Sequence, residues 1–150
     1  FVKSLIILLM KIKDITNCIE EIAPLNFAED FDNVGLLVGN YNTVVTGVLV
    51  TLDTLENIVD EAIDKNCNLI VSFHPIIFAG LKKINGSNYV ERVILKAIKN
   101  DIAIYAIHTN LDHVLNGVNG KIAQKINLIN IKILAISKDQ LTQFLSPIFL

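Results

Sequence analysis

The stretch Leu69-Ile-Val-Ser-Phe-His-Pro-Ile-Ile-Phe78 decides how this chain is read, because a short apolar strand runs directly into a histidine and then a proline. Proline donates nothing to a sheet ladder and holds its predecessor extended, so the strand stops at His74-Pro75 and leaves the imidazole at its mouth.

Working outward, Val44 to Leu52 is β-branched and nearly all apolar, which predicts a central strand covered on both faces. Asp53 or Thr54 then caps a helix whose apolar positions Leu55, Ile58, Val59, Ala62 and Ile63 follow the i, i+3, i+4 spacing to about Asn66. The strand Asn68 to Phe73 follows, and then a loop from Ala79 to Asn88 containing Gly80, Lys82, Lys83 and Gly86, long enough to be functional. A second amphipathic helix, Tyr89 to Asn100, leads into a third buried strand, Ile102 to Ile107, which ends on His108. Residues 44 to 107 therefore read β-α-β-α-β, with crossovers of about 15 and 28 residues, the lengths that join parallel strands. The predicted class is α/β, a layered, mostly parallel sheet with helices on its flanks.

Toward the N-terminus, Ile12, Ile15, Ile19 and Ile22 mark a helix over Lys13 to Ile22 that Pro24 ends. An irregular acidic segment with Glu29, Asp30 and Asp32 precedes a short strand, Val34 to Gly39, and a turn, Asn40 to Thr43. Toward the C-terminus come Thr109-Asn-Leu-Asp112, a turn through Asn116-Gly117, a helix over Val118 to Ile126 and a strand over Ile131 to Ile136; residues 137–150 carry no assignable pattern. The run FVKSLIILLM at the start is too short to span a bilayer, no small-residue cleavage site follows it, and Met10-Lys11 reads as a natural start, so residues 1–9 are expected to be an extension outside the domain of residues 10–136.

At 150 residues the chain has the length of one domain. It is 52% apolar and 19% charged, with mean hydropathy +0.51, which excludes disorder and suits elements buried on more than one face. A net charge of −2 with scattered lysines leaves no basic stripe for a nucleic acid, and nothing indicates a membrane partner. Cys18 and Cys67 are isolated in apolar patterns, without metal or disulfide spacing, and are expected to be reduced, buried thiols of a cytoplasmic protein.

In an open parallel sheet, ligands bind beyond the carboxyl ends of the strands, and here those ends carry Asp53, His74 and His108, with Asp112 four residues further on. Imidazoles and a carboxylate in one crevice suit a divalent transition metal such as zinc, iron, manganese or nickel; calcium would want more oxygens. The spacing from His108 to Asp112 brings both side chains to one face only if the segment is a helical turn. Each residue also has a plainer role open to it: His74 and His108 as polar caps of the sheet edge, Asp53 or Asp112 as helix caps, and His113 as a solvated surface residue. No GxGxxG, GxxxxGK[ST] or GxSxG occurs, and no histidine is placed to activate Cys67.

Four motifs in unbroken order, Phe31-Asp-Asn-Val-Gly-Leu36, Val48-Leu-Val-Thr-Leu-Asp53, Leu69 to Phe78, and Ile107-His-Thr-Asn-Leu-Asp112 with Gly117-Val-Asn119, resemble the NIF-three-like dinuclear-metal family, whose members are known as GTP cyclohydrolase 1 type 2 homologues. The resemblance runs from about Met10 to Ile136 and implies that His74 and Asp112 are metal ligands. It implies a supporting place beside the metal for His108, and puts Asp32 and Asn33 near the crevice together with Asp53. It also implies a homo-oligomer acting on a small molecule: a metal-dependent hydrolase on a nucleotide or related compound, or alternatively a non-catalytic metal-binding regulator or protein-interaction scaffold. The sequence departs from the family pattern twice. Phe73 stands where the family has a first histidine, and no glutamate follows Glu91, so the family's C-terminal His-x-x-x-Glu is absent and the chain is expected to be the N-terminal part of a longer protein.

Overall fold

The computed structural model describes residues 9–133 and 145–146, with side chains over residues 9–131. The isoleucine periodicity near the start forms α1 (Ile12–Ile22), and a 3-10 turn at Leu25–Phe27 follows Pro24. Four strands, β1 (Gly35–Val38), β2 (Val48–Thr51), β3 (Leu69–Ser72) and β4 (Ala103–Ala106), form one sheet in the order β1-β4-β3-β2. Crossover helices α2 (Glu56–Asp64) and α3 (Tyr89–Lys99) join β2 to β3 and β3 to β4, and both of those pairs are parallel. The expected β-α-β-α-β core is therefore present. The sheet as a whole is mixed rather than parallel, because β1 pairs antiparallel with β4. A helical turn α4 (Thr109–Asp112), α5 (Val118–Lys125), and an antiparallel pair β5 (Lys132–Ile133) and β6 (Leu145–Ser146) complete the described elements.

Alternation along the two inner strands builds two cores. Ile70 and Ile104 face Val59, Ala62, Val93, Ile94 and Ala97 of the crossover helices, whereas Leu69, Val71, Ala103 and Tyr105 face Ile12 of α1. Both inner strands are buried along their whole length, as parallel strands between helical layers must be. Behind the α1 face, the Tyr105 hydroxyl donates to Glu20 Oε1 at 3.0 Å, which gives the one polar atom of that buried ring a partner.

Several expectations need correction. The run from Val44 to Leu52 is an edge strand of four residues, not a central one; it has a neighbour on one side only, and Val50 and Leu52 are 76% and 60% exposed. An apolar composition could not reveal which strand ends the sheet. The capping role considered for Asp53 or Thr54 falls away, since Leu55 is the N-cap of α2 and makes no side-chain cap bond. Thr54 is buried with its Oγ1 unpartnered among the described residues. Cys18 is exposed on the outer side of α1 and Cys67 is partly buried, so only the second approaches the buried thiol expected. The extension over residues 1–8 lies outside the described residues, as do 134–136 of the last expected strand and all of the tail except 145–146.

Gly39 ends β1 at φ +108°, and a Cβ there would stand 2.6 Å from Ala103 Cβ and 2.9 Å from Ala103 Cα. Both the backbone conformation and the close approach demand glycine. Gly39→Ala is expected to destabilise by about 2 kcal/mol or more, lowering Tm by roughly 4–8 °C for a domain of this size. Gly80, where a Cβ would meet nothing within 4 Å, provides the comparison: Gly80→Ala should leave the thermal midpoint nearly unchanged.

Candidate metal and ligand site

Register places the chemistry. Thr51 pairs with Ser72 and Ser72 with Ala106, so the three parallel strands end level, and Asp53, His74 and His108 each lie two positions past that line. The ladder continues a step further through Phe73 N to Thr51 O at 3.0 Å, His74 N to Leu52 O at 2.9 Å and Ile107 N to Ser72 O at 2.9 Å. β1 runs the opposite way and starts with Gly35 against Ala106, so Asp32 and Asn33, which precede their strand, reach the same edge as residues that follow theirs.

Two histidines are each backed by a carboxylate. His74 Nδ1 lies 2.7 Å from Asp53 Oδ1, and His108 Nδ1 lies 3.0 Å from both oxygens of Asp32. Beside an ionised carboxylate, the Nδ1 of a neutral ring carries the proton, which leaves the lone pair on Nε2. Neither Nε2 has a hydrogen-bond partner among the described residues. The ring centroids are 5.5 Å apart, and Phe73 packs edge-on against both, at 5.1 Å from His74 and 5.2 Å from His108.

Asp32 is the hub. Its side chain is fully buried and accepts from Thr109 N, Thr109 Oγ1, His108 Nδ1 and Asn33 N. Burial pushes this carboxyl's pKa up; the bonds from the Thr109 side chain, His108, and the backbone of Thr109 and Asn33 outweigh it, and the group is held below its ordinary value. Thr109 Oγ1 also accepts from Glu29 N at 3.0 Å, so α4 is tied to the segment before β1 at two points.

Asp112 is its opposite. The segment from His108 is the helical turn that the four-residue spacing requires, with His108 at the N-cap of α4. The Asp112 carboxylate is half-buried and accepts no hydrogen bond among the described residues. Burial pushes its pKa up, the fields of His108 and His113 pull it down, Asp32 pushes it up again and His74 pulls it down; the balance lies above the ordinary value. Except for His113, the residues that shape this field are those expected in the crevice.

His113 corrects the sequence reading. It is 4% exposed, not solvated, with Nδ1 2.6 Å from the Phe27 carbonyl and Nε2 3.3 Å from Glu29 Oε1. Thr109 and Asn110 were not recognisable as anchors; Asn110 is wholly buried, donating to Ala23 O at 2.8 Å and accepting from His108 N at 2.9 Å. Their adjacency to His108 was the only signal. Asn33 donates through Nδ2 to the Ile77 carbonyl, so it staples the segment before β1 to the one after His74.

The donors fit a divalent transition metal in kind: two imidazole Nε2 lone pairs and a carboxylate that nothing else holds. In number they fall short, since among the described residues no three His, Cys, Asp or Glu side chains are arranged to hold an ion.

The family model described as Duf34/NIF3 (NGG1p interacting factor 3) matches residues 10–145. The chain belongs to the Duf34/NIF3 family. A relative from Clostridium acetobutylicum named GTP cyclohydrolase 1 type 2 homolog is 42% identical over 126 residues, which cover 84% of this chain and 47% of the relative. Among solved structures, a Bacillus cereus protein related to NIF3 superposes with a TM-score of 0.81 at 40% identity over 86% of this chain and 35% of that one. A Staphylococcus aureus hypothetical protein gives 0.79 at 42% identity over 85% and 42% of the two chains. This Duf34/NIF3 chain thus spans less than half the length of these three relatives.

Asp32 and Asp112 should respond oppositely to pH. The folded pKa of Asp32 is depressed, so its stabilisation is complete above the ordinary carboxylate range and is lost as pH falls through the folded value. Asp32→Asn is expected to cost about 2–3 kcal/mol near neutral pH, with a smaller gap from the wild type in acid, read from urea midpoints. The folded pKa of Asp112 is raised, so its contribution is present at low pH and disappears as pH rises through that value. Metal-free Asp112→Asn should therefore match or exceed the wild-type midpoint at neutral pH, and a lower midpoint there would contradict the burial argument.

Proposed function

We propose that the crevice binds a divalent transition metal (zinc, iron, manganese or nickel) through His74 Nε2 and the Asp112 carboxylate, and that the protein is a metal-dependent hydrolase of a nucleotide or related small molecule. The observation that carries the reading is Asp112: a half-buried carboxylate with no hydrogen bond of its own, in the field of His74 and His108, whose Nδ1 atoms are already engaged. Asp32, by contrast, is saturated with donors.

Asp53 and Asp32 fix the tautomer and direction of the two imidazoles, the arrangement in which outer carboxylates support ligating histidines. His108, 20% exposed at its side chain, is set back from the surface and serves to hold α4, and with it Asp112, against the sheet edge. A bound divalent ion would supply Lewis acidity at this edge. The nucleotide class follows the name carried by relatives such as the Clostridium acetobutylicum protein. The same reading takes the protein as a cytoplasmic homo-oligomer; among the described residues no helix is long and apolar enough to cross a membrane.

A second reading, a non-catalytic metal-binding regulator or interaction scaffold, is favoured by Phe73. Its ring packs edge-on against both imidazoles and offers no donor there.

Metal analysis of the gently purified protein separates these outcomes. The expected result is retained transition metal that is lost in His74→Ala and Asp112→Ala, and an affinity reduced roughly 10–100-fold in Asp53→Ala. Metal retention unchanged in the first two variants would refute the site. Turnover that disappears with the metal favours the hydrolase; metal binding without turnover, together with a partner interaction that survives both changes, favours the scaffold.

A further inference from the structure

Two large aromatic rings stand in solvent beside the crevice. Phe31 is 67% exposed and Phe78 54% exposed, yet their rings meet at a centroid distance of 6.5 Å and an interplanar angle of 55°. They come from different segments, one leading into β1 and the other following β3, and both segments are fixed at the site. Phe31 directly precedes Asp32, the carboxylate that holds His108 and Thr109, while the Asn33 amide is bonded to the carbonyl of Ile77, next to Phe78. The ring bases are thus anchored to the same framework that sets the histidines, and the ring faces are open to water.

We propose that Phe31 and Phe78 form a stacking clamp for a flat heteroaromatic ring of the nucleobase kind, which places the rest of that ligand toward His74, His108 and Asp112. Two stacking gaps of about 3.5 Å require faces about 7 Å apart. At 6.5 Å and 55° the two rings are in tilted mutual contact, and the broad χ2 torsion of an exposed phenylalanine lets them turn parallel and part around an inserted ring. The clamp is apolar and carries no hydrogen-bonding group, so it selects for flatness, and the crevice behind it carries the polar atoms. Without a bound ion, Asp32, Asp53 and Asp112 leave that crevice acidic, so a compound recognised only by its phosphate would gain nothing there. A base has what both parts ask for: a π face for the rings and polar edges for the crevice.

This names the substrate class of the proposed hydrolase and rests on that reading for the crevice's purpose, although the stacking itself needs no metal. The test is calorimetric titration of the chain with guanosine and adenosine, with ribose 5-phosphate as a probe that has no flat ring, each in zinc-loaded and chelator-treated protein. The expected result is binding of at least one nucleoside, no binding of ribose 5-phosphate to the chelator-treated protein, a loss of roughly 5- to 100-fold in affinity in Phe31→Ala and in Phe78→Ala, and affinity retained in Phe31→Trp. Both side chains are exposed, so unchanged thermal midpoints in the alanine variants serve as the folding control. Failure of both nucleosides to bind in either state, or affinities unaffected by both alanine variants, would overturn the clamp. Nucleoside binding in protein that retains no zinc would leave the clamp standing and remove the metal reading; retained zinc with no nucleoside binding would do the reverse.

Discussion

One lateral register, with Gly35 against Ala106, Ala106 against Ser72 and Ser72 against Thr51, governs everything that happens at this edge of the sheet. Strands that ended at different heights would scatter Asp53, His74 and His108 along the molecule. Ending level, they bring the three to one edge of the sheet. The register is held from both faces, since Leu69, Val71, Ala103 and Tyr105 interlock with α1, and Ile70 and Ile104 with α2 and α3. A slip of one residue would exchange those two sets and turn the strands' residues to the wrong layers. The precision of the site is thus inherited from packing that never touches it.

At the edge itself, two carboxylates that both feel His108 have been given opposite environments. Asp32 is saturated with donors and is held ionised; Asp112 has none and is pushed toward its proton. Titratable groups whose surroundings drive them apart mark functional sites, because each environment suits one task. Here the first is a fixed anchor for His108 and α4. The second accepts no hydrogen bond among the described residues and is left with only the fields of the nearby histidines.

The sequence was most informative where periodicity and strand ends agree. Alternating strands and amphipathic helices placed the β-α-β-α-β core, and with it Asp53, His74 and His108 on one edge. It was silent where the answer depends on spatial order. Nothing in Val34 to Gly39 reveals that this strand runs antiparallel to β4, and only that direction brings Asp32 and Asn33 home. Likewise the apolar run before Asp53 has the composition of a buried strand and the position of an edge. His113 and Phe31 were misjudged or passed over for a related reason. Burial of the one follows from how the 3-10 turn packs on α4, a contact between segments some eighty residues apart, and exposure of the other is equally a matter of spatial order.

The open side of β2 has a consequence for the chain as a polymer. Among the described residues, one whole row of its amide and carbonyl groups lacks a strand partner, and the side chains standing along it, Val48, Val50 and Leu52, are apolar and exposed. Natural sheets blunt such borders with lysine, proline or a bulge, and β2 has none of these. Among the described residues that border is open, and an extended segment laid along it would find both a hydrogen-bond template and an oily surface. During folding, intramolecular completion and intermolecular accretion compete for that border, and the outcome depends on concentration.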